Sequence, residues 1–140
     1  MAGSDKKESS ALFKWLDEVW HKILLQPDDE LAVRTFESCL AKDVRVKINH
    51  DPITREAFFG YVTSTRATHT MTQLHKTEIK VWEAPGGGGC VVDEAVVAFK
   101  SKETGESYTG TVVMVSDVRV GEDGTMTIVE TTEVVTRSSG

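Results

Sequence analysis

A chain of 140 residues, 39% hydrophobic and 27% charged, has the length and composition of one globular domain with its own core. A net charge of −6 supplies no electrostatic footprint for nucleic acid or an acidic membrane surface, and no apolar run approaches the ~20 residues of a membrane span. Cys39 and Cys90 lack Cys-x-x-Cys spacing and the opening MAGSDKKESS has no apolar leader core, so reduced thiols in a cytoplasmic protein are expected.

Residues 1–9 are polar and read as a disordered tail, with a single domain over 10–136 and a C-terminal tail over 137–140. From Ser10, SALFKWLDEVWHKILL sets Leu12, Trp15, Leu16, Val19 and Ile23 at helical spacing, and Phe13, Trp20 and Leu24 widen that stripe. A second helix is predicted in QPDDELAVRTFESCLA, where Pro27, Asp28, Asp29 and Glu30 suit a helix start. DVRVKINH alternates as a strand, with Val44, Val46, Ile48 and His50 on one face. After the turn at Asp51-Pro52, Thr54 can cap a third helix that ends near His69.

From there the period changes to two. Strands are predicted near 71–83, 90–100, 108–120 and 125–136, separated by APGGGG, SKETGES and GEDG. The GGGG run has no following Lys-Ser/Thr and no helix after it, so it reads as a hairpin tip rather than a phosphate loop. Helices followed by an antiparallel meander define an α+β protein, with the helices on one face of a curved sheet.

Alternation selects the residues that face inward: Met71, His75, Ile79 and Val81; then Val91, Asp93, Ala95, Val97 and Phe99; then Tyr108, Gly110, Val112, Met114, Ser116 and Val118. In the last strand the bulkier face is Met126, Ile128, Glu130, Thr132 and Val134, which carries Glu130 toward the core. Pairing Val120 with Met126 and Phe99 with Gly110 places Asp93, Ser116 and Glu130 in one row. A two-residue slip puts Met114 in the middle instead.

The element order, the strand–DPITREAFF–helix junction and the ending GEDGTMTIVETTEVV resemble the ketosteroid-isomerase-like or SnoaL-like superfamily, which includes nuclear transport factor two. The resemblance spans about residues 10–136 and implies a cone-shaped antiparallel sheet packed on three N-terminal helices, a cystatin-like α+β barrel. Its members range from isomerases, cyclases and dehydratases to silent binding modules. The chain looks most similar to small cofactor-free proteins of fungal natural-product pathways.

Two inward carboxyls on an apolar surface are the chemically informative feature. Desolvation raises a carboxyl pKa, so one can hold a proton while the other acts as base, which suits isomerisation, cyclisation or dehydration. Glu130 and Asp93 are therefore the catalytic candidates, with Arg34 as counter-charge and Tyr108 as a donor to a carbonyl. His75, Ser116, Met114 and Trp15 are candidate substrate contacts, and His75 is a runner-up base for a dehydratase. Each acid can equally be structural, held by a buried partner in a non-catalytic binding or dimerisation module. No metal-ligand spacing occurs, so no metal or cofactor is expected. The outward face keeps Val92, Val96, Val113, Val115, Val129 and Val135, which implies a homodimer through the convex side of the sheet.

Overall fold

The computed structural model describes residues 9–139. Helix α1, Ala11–Trp20, starts at Ser10, whose Oγ accepts from the Phe13 amide at 3.0 Å, the usual satisfaction of a free helix-end donor. The Ser10 amide donates in turn to Glu78. The predicted helix does not continue regularly: His21–Leu25 widens into a single π turn closed by the Gln26 amide on the His21 carbonyl. Helix α2, Asp29–Cys39, is capped by Asp28 and carries Asp29 and Glu30 in its positive first turn. Strand β1, Leu40–Ile48, and the short β2, Asp51–Ile53, lead to α3, Arg55–Thr68, capped by Thr54.

The meander follows as β3, His69–Glu83; β4, Gly89–Ser101; β5, Ser107–Val120; and β6, Met126–Ser139. β6 thus includes residues 137–139, which were expected in the tail; residues 1–8 and Gly140 lie outside the described residues. The sheet order is β2-β1-β6-β5-β4-β3, antiparallel except where β1 runs parallel to β6. This is the expected α+β class: three helices on the concave side of a curved sheet that does not close. Leu16, Ile23, Phe36, Leu40, Val91, Val118 and Ile128 form the solvent-free centre of the core. At the β3–β4 tip, Gly86–Gly89 all have positive φ, and a Cβ on Gly89 would lie 2.0 Å from the Trp82 carbonyl oxygen. Only glycine passes there.

Within the meander, three bulges decide which side chains face inward. β6 pairs Ile128 with Val118 but Glu130 with Asp117, so Val129 is the extra residue. In β3, Leu74 and Ile79 are extra in the same way. Each bulge advances the chain by one residue and exchanges the two faces beyond it.

Candidate active site

The concave face and the helices enclose a cavity of about 130 Å³, walled mainly by apolar side chains from Trp20, Leu24 and Leu25 to Met114 and Val135. The π turn brings Leu24 and Leu25 to it. Arg66 holds that turn by donating to the Ile23 carbonyl at 3.1 Å.

Two carboxyls reach the cavity, on β4 and β6. Asp93 pairs with Met114, and Met114 pairs with Glu133. The three therefore form one row across adjacent strands, with the acids two strand spacings, or about 10 Å, apart. This is the slipped register with Met114 in the middle. Phe99 pairs with Tyr108 and Gly110 with Val97, two residues from the expected pairing, while Val120 does face Met126.

Burial pushes Asp93 up to about 6. The Lys76 ammonium, 3.9 Å from Oδ2, opposes the rise and nearby Asp17 adds to it. Lys76 also reaches Asp17 at 3.4 Å, and its side chain is only 10% exposed. Glu133 is pushed up to about 7, first by burial and then by the negative charge of Asp93. Its carboxyl has no hydrogen-bond partner among the described residues. Its backbone is fixed more firmly: the Asn49 amide donates to the Glu133 carbonyl at 2.8 Å, and the Asn49 side chain both donates to and accepts from the Val135 backbone. Tyr61 of α3, 54% exposed, adds a phenol whose pKa is raised by partial burial and then by Tyr108 and Glu133.

Glu130, expected inward, lies on the convex face beyond the Val129 bulge and pairs with Arg45 at 2.8 Å. Arg34, expected as its counter-charge, is exposed on α2 and does not line the cavity. His75 follows the Leu74 bulge, is exposed, and shares a hydrogen bond with Thr77. Ser116 does face inward, but it is sealed in the core opposite Thr131, away from the cavity lining. Trp15 packs against the core, and Trp20 is the tryptophan at the cavity. Asp93, Met114 and Tyr108 do line it.

Sequence reasoning missed Glu133, Lys76 and Tyr61. A signal for Glu133 existed, since burying both Ile128 and Val135 requires a change of phase between them. Val134 concealed it by offering an apolar residue of the other parity. Lys76 left no such trace, because two bulges in β3 restore the original phase by Val81.

No protein-family model matches the chain, and no curated protein matches it in sequence. Among solved structures it is similar to a conserved protein from Planctomyces limnophilus (TM-score 0.74, 11% identity, 88% of this chain and 94% of that one). An NTF2-like protein from Rhodospirillum rubrum matches with TM-score 0.69 and 19% identity over 89% of this chain and 98% of that one. A ketosteroid isomerase-like protein from Erwinia carotovora atroseptica matches with TM-score 0.69 and 10% identity over 93% and 96%. The chain has the nuclear-transport-factor-two-like fold, the α+β cone that it shares with this ketosteroid isomerase-like structure.

Proposed function

We propose that the protein is an isomerase or cyclase that needs no cofactor and acts on a small, largely apolar natural-product intermediate by general acid–base catalysis. The observation that carries this reading is the pair Asp93 and Glu133, facing one apolar cavity across Met114 with their acidities moved toward neutrality. Lys76 favours the ionised form of Asp93, which makes Asp93 the base. Glu133 has no cation beside it among the described residues and keeps its proton longer, which makes it the acid. Tyr61, whose phenol feels the Glu133 charge, supplies a donor for a developing enolate oxygen, whereas Tyr108 lines the cavity six residues away from Met114 along β5. Similarity in fold to a ketosteroid isomerase-like protein supports the class of reaction by analogy.

The rival reading, a non-catalytic binding module, draws on the Lys76–Asp93 pair, which quenches one acid. The unbonded Glu133 carboxyl speaks against it, because a silent module has no use for the burial penalty. A dehydratase based on His75 loses its base, which lies outside the cavity. The test is exchange of the α-protons of 2-tetralone, a compact enolisable ketone, into D₂O, followed by proton NMR. Exchange is expected above the buffer rate, and Glu133→Gln should reduce it by about 10²–10⁴-fold. Equal exchange by wild type and Glu133→Gln would end the catalytic reading.

The same reading includes a second copy of the chain. The convex face carries Val92 beside Val115 and Val113 beside Val134, with exposed Leu74 and Trp82 toward its β3 edge. The row through Val92, Val115 and Thr132 carries its charges only at its ends, at Lys80 and Lys47, while Glu94 stands beside Val113 in the next row, so an isologous sheet-to-sheet contact would centre on the first row. A cytoplasmic place of action belongs to this reading too, supported by the free thiols Cys39 and Cys90.

A further inference from the structure

Arg137 lies on the inward side of β6 at the cavity rim, opposite Gly110. Its guanidinium sits 4.2 Å above the Tyr108 ring, and Phe99 stacks on that ring with centroids 4.8 Å apart and planes 12° from parallel. His69 meets the same two rings edge-on. The stack depends on Gly110, where a Cβ would come within 3.1 Å of the Phe99 ring. A guanidinium held over a ring face, with no hydrogen bond from its N–H groups among the described residues, keeps donors available for a carboxylate.

Arg45, Arg55, Arg66 and Arg119 each pair with an acid. Arg137 has no carboxylate partner among the described residues. The other cation lining the cavity, Lys76, is already engaged by Asp17 and Asp93. A guanidinium without an acidic partner among the described residues thus stands at the rim of an apolar cavity, in a chain of net charge −6. Four residues of strand separate it from Glu133, about 13 Å along β6.

We propose that Arg137 is the anion-binding end of the cavity, and that the molecule it takes is an elongated, apolar carboxylate. The carboxylate lies on the guanidinium at the rim, the hydrocarbon fills the space between Tyr61, Met71 and Val112, and the far end reaches Glu133 and Asp93. This rests on the acid–base reading only for what happens at the far end. Arg137 is a specificity-determining residue that discriminates substrates by charge.

The test is equilibrium binding of 6-hydroxy-2-naphthoate and of its methyl ester, each followed by its own fluorescence. The wild type should bind the acid about tenfold or more tightly than the ester, since hydrogen bonds between charged partners are the strong ones. Arg137→Gln should lower affinity for the acid to that for the ester and leave the ester unchanged, which also certifies the variant as folded. Equal affinity for acid and ester in the wild type, no measurable binding of the acid, or full retention of preference by Arg137→Gln would overturn the proposal. Because the readout is binding, Glu133→Gln should keep the preference for the acid. Failure of the catalytic reading and failure of this one are therefore separable.

Discussion

At the residue scale, two glutamates three positions apart on one strand have opposite fates. Glu130 pairs with Arg45 in solvent, where water screens the attraction and such pairs contribute little to stability. Glu130→Gln should therefore change neither tetralone exchange nor the urea midpoint appreciably, whereas Glu133→Gln removes the exchangeable proton inside the cavity. The pH dependence of stability follows from the same burial. Glu133 rises in the fold from its ordinary 4.5 to about 7, so the native state binds more protons than the unfolded chain across that interval. Its contribution is fully present below about 4.5 and is lost as pH rises through about 7, a difference of about 3 kcal/mol. Glu133→Gln should thus melt above the wild type at pH 8, and that margin should shrink toward pH 4 in thermal scans. A margin that grows on acidification would contradict the assignment. For the rate, the productive form has Asp93 ionised and Glu133 protonated. The profile should be bell-shaped, with its maximum between about 6 and about 7.

At the element scale, the site depends on how β6 is held against the β1–β2 turn. Asn49 adopts φ 54°, a conformation that asparagine tolerates better than most residues, and its side chain extends the ladder to Val135. Asn49→Ala loses both side-chain hydrogen bonds and strains the backbone, so a loss of about 2 kcal/mol in urea unfolding is expected. Asn49→Gly relieves the strain and should lose less. A stability equal to wild type for Asn49→Ala would show that the turn does not anchor β6. The strands of this element were legible from alternation to within a few residues. The bulges were not, because an extra residue in one strand is set by how its neighbour twists and pairs, and that neighbour is distant in sequence. The expected positions of Glu130 and His75 failed for this one reason, downstream of Val129 and Leu74.

At the scale of the whole molecule, the proposed homodimer rests on the convex face. Val134 is 57% exposed and Trp82 59%, a poor surface for a free monomer at high concentration. Light scattering at micromolar concentration should give the dimer mass, and Val115→Lys with Val134→Lys should give the monomer mass with the fold retained by circular dichroism. A monomeric wild type would refute the homodimer. The expected patch changes in one respect, because Val135 turns into the cavity and Val134 takes its place outside.

By itself, the sequence determined the class of fold, the order of elements, the cap at Thr54, the other two helix starts to within a residue or two, and the inward direction of Asp93. These follow from period, capping and turn chemistry, which act over a few neighbouring residues. Only the tertiary structure decided that Glu133 rather than Glu130 meets Asp93, that Lys76 is their neighbour, and that Arg137 stacks at the rim. Those outcomes hang on the register between strands and on three extra residues within them. Period two gives each strand only two choices of face, and pairing with distant strands selects between them.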